Sequence, residues 1–229
     1  ETMLEQIGPE IWHVQHRFKV AGMPLTSRMT VVRLQGERLW LHSPVPLNET
    51  LKARLKQLGQ VAYIVAPNKT HHLFAGPCAA AYPDALLYGA PGLQQKRPDL
   101  INMITLTPAM PEAWRPELDQ VFVGGLPFGN ETVWFHHPSK TLIVTDFVQW
   151  WAGDLPAATR LFGWLTGVRK QLAIPYSIRL LTKDKAAMCA SARQIMQWPI
   201  ERVLYAHNGI IDNNARSALQ AAFAWLEKQ

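Results

Sequence analysis

Val61-Ala-Tyr-Ile-Val-Ala-Pro-Asn-Lys-Thr-His-His72 is an apolar run that stops at a proline and ends in two adjacent histidines. Val61 to Val65 is short, β-branched and aromatic, and it lies between Gly59 and Pro67, which reads as a buried strand rather than a helix. In α/β architectures the loops beyond the carboxyl ends of strands carry side chains on a rigid base, so ligands gather there. His71 and His72 therefore stand where a site would be. The other reading of such a pair is a surface loop feature, histidine being a frequent but not exclusive metal ligand.

The flanking segments make this strand one step of an alternating chain. Leu47, Leu51, Leu55 and Leu58 share a helical face with Lys52, Arg54 and Lys56 opposite, so residues 47–58 form an amphipathic helix that Gly59 ends. Upstream, Ile11 to Phe18 reads as a strand and Gly22-Met-Pro24 as a turn. Arg28 to Leu34 and Arg38 to His42 then make a hairpin about Gln35-Gly36. Strand, helix and strand in that order imply a parallel pair. Downstream, Leu73 to Tyr82 is an Ala-rich helix interrupted by Pro77, and Ala85 to Tyr88 is the next strand. Residues 89–118 are an irregular, proline-broken excursion over the surface. Gln120 to Val123 is a short strand, and Glu131 to His137 and Lys140 to Asp146 form a second hairpin about Pro138-Ser139. Residues 147–181 turn helical and aromatic, a cover or partner surface containing Trp150 and Trp151. Helices over 184–196 and 215–228 flank a last strand, Arg202 to Ala206, which reaches His207.

With 229 residues and 48% hydrophobic content the chain can build one substantial core, read as a single domain over residues 1–229. It has no run of eighteen uncharged apolar residues and no signal-like start, which predicts a cytoplasmic protein with no membrane partner. Cys78 and Cys189 are too few for a disulfide framework and have no zinc-knuckle spacing; they read as buried small hydrophobes. The net charge of +6 is spread along the chain rather than gathered in a block, so it describes a solvated basic surface and argues against a nucleic-acid partner.

Three strands thus terminate in potential metal ligands: His71 and His72, Asp146, and His207, residue types suited to zinc or iron. Spacing alone leaves other readings open. Asp146 fits a cap on the following turn, and His207 a hydrogen-bonded core histidine. His136 and His137 would alternate on a hairpin, one facing in and one out.

The order of elements resembles the metallo-β-lactamase fold over roughly residues 10–228, which implies an α/β chain arranged as a four-layer αββα sandwich. The motifs that carry the resemblance are Arg28-Met-Thr-Val-Val, His42-Ser-Pro, Ala66-Pro-Asn-x-x-His-His, Ser139-Lys-Thr-Leu-Ile-Val-Thr-Asp and Ala206-His. The superfamily's His-x-His-x-Asp-His motif falls on Pro67 to His72: Pro67 and Lys69 replace its first two histidines, His71 its aspartate, and His72 keeps the last histidine. Its third histidine has no counterpart near Gly129, Asn130 and Glu131, and His42 stands where an aspartate usually follows an apolar strand. The ligands of one metal of the binuclear members are thus missing.

What survives implies a metal-dependent hydrolase holding one zinc or iron ion through His71, His72, Asp146 and His207 and acting on a small molecule. Asp146 would serve as general base if it does not ligate, Lys69 would supply a fixed positive charge, and His42 would orient a ligand through a hydrogen bond. His13, His16 and His137 should stay outside the cluster. The alternative is a pseudoenzyme, a binding or scaffold module using Trp150 and Trp151 as a partner or homo-oligomer surface. Nucleic-acid processing is the third reading, from the basic charge and the nucleases of the superfamily.

Overall fold

Apolar residues that alternate along each strand face two different neighbours, and this puts two sheets back to back. In the computed structural model, which describes residues 3–20 and 22–227, the chain opens with β1 (Glu5–Gly8), β2 (Ile11–Val20), β3 (Met23–Leu34) and β4 (Arg38–His42). Then come α1 (Glu49–Leu58), β5 (Gln60–Ala66), α2 (Ala75–Ala81), β6 (Leu86–Gly89), α3 (Leu93–Lys96) and β7 (Ile104–Thr105). The second half supplies β8 (Leu118–Phe122), β9 (Thr132–His136), β10 (Thr141–Ile143), α4 (Ala157–Leu165), α5 (Tyr176–Leu181), α6 (Lys185–Ile195), β11 (Arg202–Leu204), β12 (Ile210–Ile211) and α7 (Ala215–Glu227). Of the closing helix expected over 215–228, Lys228 lies outside the described residues.

Among the described residues β1 to β7 form one sheet in chain order, and the other runs β12-β11-β10-β9-β8. β4, β5, β6 and β7 are mutually parallel, as strand-helix-strand order requires, and β10 is parallel to β11. Between the sheets Trp40, Tyr63 and Val65 of the first meet Trp134, Ile143 and Leu204 of the second. Their sequence neighbours point outward: Leu39, Leu41 and Ile64 pack under α1 and α2, and Val133, Phe135 and Leu142 pack under α6 and α7. Helix, sheet, sheet and helix are thus the four layers of an αββα sandwich.

α1 shows how local chemistry places these layers. Asn48 caps it by accepting from the Leu51 N–H at 2.8 Å, Leu51 and Leu55 are buried at helical spacing, and the Gly59 N–H closes on the Leu55 carbonyl at 3.1 Å. A Cβ at Gly59 would lie 2.0 Å from the Glu37 carbonyl oxygen, so only glycine lets α1 turn into β5 this tightly.

Two regions differ from expectation. β2 and β3 are one long hairpin of ten register pairs ending at Lys19↔Pro24 and Val20↔Met23, so Met23 and Pro24, expected in a Gly-Met-Pro turn, open the second strand instead. The excursion over 89–118 is irregular but not superficial. Leu106, Met110 and Trp114 are buried between the sheets, and Ile104–Thr105 adds a parallel edge strand, since apolar side chains seek burial whatever their prolines do to the backbone.

Candidate metal centre

Parallel register brings the site together. β10 and β11 pair Ile143 with Leu204, and each strand runs three residues further to its ligand, Asp146 and His207. β5 ends beside them, and the loop after it is folded by Asn68, whose Oδ1 accepts from the Thr70 and His71 N–H groups at 2.9 and 2.7 Å. This Asx turn aims the His71 ring at Asp146.

His71, Asp146 and His207 each offer one ligand atom, all within 4.8 Å of one another, the only such group of at least three His, Cys, Asp or Glu among the described residues. Asp146 Oδ1 lies 3.1 Å from His71 Nε2 and 3.4 Å from His207 Nε2. The other nitrogens are also engaged. His207 Nδ1 donates to the Thr26 carbonyl at 2.6 Å, and His71 Nδ1 pairs with Ser43 Oγ at 3.1 Å. A carbonyl only accepts, so His207 carries its neutral-state proton on Nδ1. Its Nε2 lone pair then faces a carboxylate oxygen, an arrangement stable only with a second proton or a cation at that point. Two imidazoles anchored through Nδ1 and one carboxylate are also a donor set that fits zinc or iron.

Deeper groups hold the ligands. Asp146 Oδ2 accepts from Thr70 Oγ1 at 2.6 Å and Asn68 Nδ2 at 2.9 Å, and Gln149 Nε2 donates to Oδ1 at 3.2 Å. Glu131 is buried beneath them, accepting from the Thr145, Asp146 and Phe147 N–H groups at 2.8, 3.0 and 3.0 Å. Arg28, 2% exposed, donates to the Tyr205, Asn208 and Gly209 carbonyls at 3.0, 2.7 and 2.7 Å and so fastens the His207 loop to β3.

Charge follows geometry. Burial works against the His71 imidazolium, but the Asp146 charge and hydrogen bond outweigh it and raise the His71 pKa. Burial likewise opposes the Asp146 carboxylate, yet His71 and His207 hold its pKa well below the usual range. Glu131 is pushed up to about 7 by burial first and by Asp146 second.

A pH dependence follows for chelated protein. A raised histidine stabilises fully below its unfolded pKa of about 6.5 and loses that contribution as pH rises through its folded value. Glu131, protonated longer in the fold than in the unfolded chain, acts with the same sign up to about 7. The depressed Asp146 adds nothing in this range, its contribution being lost only as pH falls below the unfolded carboxylate value. Urea midpoints of chelated protein should therefore fall as pH rises above about 6.5, and Asp146→Asn should remove most of the fall. Equal slopes in the two proteins would contradict the pairing.

The remaining candidates sit elsewhere. His72 stands outside the group: its Nδ1 accepts from Arg97 Nη1 at 3.0 Å, and burial with Lys96 and Arg97 nearby pulls it down to about 4. Consecutive loop residues point in different directions, and only one of the pair reaches Asp146. Lys69 turns its ammonium to the Pro127 carbonyl at 3.4 Å rather than to Asp146. His42 is buried against Trp40 and Trp134 with both ring nitrogens unpartnered, and burial followed by the His71 charge drives it down to about 3. Ser43, the next residue, makes the orienting bond expected of it. His13 pairs with Arg28, His16 packs on Phe18 and Phe74, His136 is buried on Ser139, and His137 faces out to Asp119.

Two cavities meet at the cluster. One of about 700 Å³ and one of about 310 Å³ share Leu25, Thr70, Asp146 and His207 as walls. A larger concavity, about 840 Å³, lies at the other end of β5 beside Gln60 and Val61 and lines none of these groups. Trp151 is buried in the wall of the 700 Å³ cavity, edge-on to His207 at 5.9 Å. No described helix is long and apolar enough to cross a membrane.

The family described as "Domain of unknown function (DUF4336)" matches residues 9–171. No curated protein matches the sequence. Among solved structures the chain is similar to a metallo-β-lactamase from Pontibacter korlensis, at 15% identity and TM-score 0.67 with all of both chains covered. It is also similar to the DIM-1 metallo-β-lactamase, at 13% identity and TM-score 0.68 over 99% of this chain and 97% of that one. A third likeness is the metal-soaked Flv1 flavodiiron core from Synechocystis sp., at 10% identity and TM-score 0.68 over 100% of this chain and 62% of that one. At these identities the likeness shows the fold, which is that of the metallo-β-lactamases.

Proposed function

The chain belongs to the DUF4336 family and has the metallo-β-lactamase fold, and from its site we propose that it is a single-metal hydrolase of a small molecule. One zinc or iron ion would be held by His71 Nε2, His207 Nε2 and Asp146 Oδ1. The observation that carries this is the His207 tautomer: with Nδ1 committed to Thr26, the Nε2 lone pair and the Asp146 carboxylate share a point that suits a cation. Three protein ligands are the number that catalytic sites use when one position stays open.

When bound, the ion would act as a Lewis acid that polarises a substrate carbonyl or phosphoryl oxygen. The chain supplies the rest. Asn68, Thr70 and Gln149 fix the Asp146 carboxylate, and Thr26 and Ser43 fix the two imidazoles, so the donors would not need to reorganise. Glu131, with a pKa of about 7 and a place on the cavity wall, is the group suited to hold or release a proton near neutral pH.

Metal-loaded protein is expected to hydrolyse at least one compound in a panel of uncharged esters and lactones. Chelation should abolish turnover, and zinc or iron(II) should restore it. Turnover untouched by chelation, or none from protein shown to hold the metal, would contradict the proposal.

A further inference from the structure

The cavity beside the cluster is built in two halves. Near the ligands its wall is polar: Asn68, Thr70, Glu131, Asp146, Gln149 and His207. The rest of the wall is mainly apolar, with Met23, Leu25, Trp151, Phe162, Ile178 and Leu181, and its other polar residues are Thr166 and Ser177. No lysine or arginine lines it. The polar groups are also already used: Asn68, Thr70 and Gln149 all donate to Asp146, and Glu131 accepts from three backbone N–H groups. A ligand therefore gains mostly apolar contact area from this wall.

The mouth has the same character. Phe128 and Phe162 line the cavity yet remain 58% and 41% exposed. Exposed apolar groups around a concave apolar site mark where an apolar ligand enters.

Resting on the hydrolase reading, we infer that the substrate is a carboxylic ester or lactone with a flexible alkyl chain, its carbonyl at Asp146 and His207, where the 700 Å³ cavity meets the cluster, and its chain along that cavity past Trp151 to Ile178. Burial of the chain supplies the affinity. In the hydrolysis, water adds to the carbonyl carbon and the C–O bond to the alkoxy oxygen breaks. That oxygen takes a proton and leaves as an alcohol, and the carbonyl side leaves as a carboxylic acid.

Binding without turnover separates this inference from the reading beneath it. Unbranched 2-alkanones of increasing length, which keep the carbonyl but have no ester bond, would be titrated calorimetrically into the full chain with and without metal. Affinity should rise roughly fourfold per added methylene until the cavity is filled and then level off, at about one ligand per chain. Ile178→Trp narrows the cavity from a partly exposed position, so its series should level off at a shorter chain while 2-butanone binds as before. Affinity independent of chain length, or an unchanged plateau in folded Ile178→Trp, would each overturn the inference. Should that variant not fold, the series on the unaltered protein decides alone. Length-dependent ketone binding by protein that never takes up metal would sink the hydrolase and leave the chain site standing; metal-dependent hydrolysis with no chain-length effect would do the reverse.

Discussion

Asp146→Ala is expected to weaken metal binding by well over the roughly 10–100-fold that losing an outer hydrogen-bond partner of a ligand costs. Its Oδ1 is the only oxygen of the three-membered cluster and the point that both Nε2 atoms face, at 3.1 and 3.4 Å. Without it two imidazoles remain, and the charge that raises His71 is gone. Competition against a chromogenic chelator would measure the loss, with Asp119→Ala as control, since Asp119 pairs with the outward-facing His137. An Asp146→Ala protein within about tenfold of the wild type, less than one outer partner is worth, would mean that the cluster does not hold the ion.

The second large effect belongs to Glu131, which touches no other member of the cluster except through the backbone of Asp146. It accepts from three consecutive backbone N–H groups, at 2.8 to 3.0 Å, and from Asn68 Nδ2 at 3.3 Å. Alanine would orphan these buried donors, each costing about 1–3 kcal/mol when fully unsatisfied. The relief of a buried acid whose pKa is raised to about 7 offsets part of that cost. A net loss of about 3 kcal/mol is expected for Glu131→Ala, read from urea unfolding midpoints. Glu131→Gln keeps one acceptor oxygen, so it should recover much of the stability while metal affinity stays roughly 10–100-fold down. Wild-type metal affinity in folded Glu131→Gln would show that the carboxylate merely fills space.

The layers were legible because their signals are local. The run Val61 to Val65, the leucines at helical spacing in α1 with Asn48 before and Gly59 after, and the Gln35-Gly36 turn each specify an element from its own residues. Strand ends that deliver imidazoles or a carboxylate pointed to His71, Asp146 and His207, because parallel neighbours finish at one edge. What escaped the sequence was direction. Whether His71 or His72 turns to Asp146, and whether His42 or Ser43 reaches the imidazole, depends on backbone angles one residue apart; Ser43 itself sits at φ 55°.

Glu131 read as the start of an apolar strand, and its role appears only when the 145–147 turn lies above it. Asn68 had a usable signal, an Asn directly after a strand-ending proline, which is the composition of an Asx turn. Arg28 had another, a cation directly before the run Met29-Thr-Val-Val32, whose guanidinium needs carbonyls to satisfy it once buried. The short β1 and β12 and the burial of Trp114 had none, since four- and two-residue strands carry no periodicity and proline-rich segments resemble surface loops.

The measurement that bears most directly on the single-metal centre is the metal content of the full chain purified without chelator, followed by titration with zinc and with iron(II). The account predicts uptake that saturates at about one equivalent per chain, unchanged in His72→Ala and lost in His207→Ala. Less than about a tenth of an equivalent with no uptake on titration, or saturation that needs His72, would contradict it.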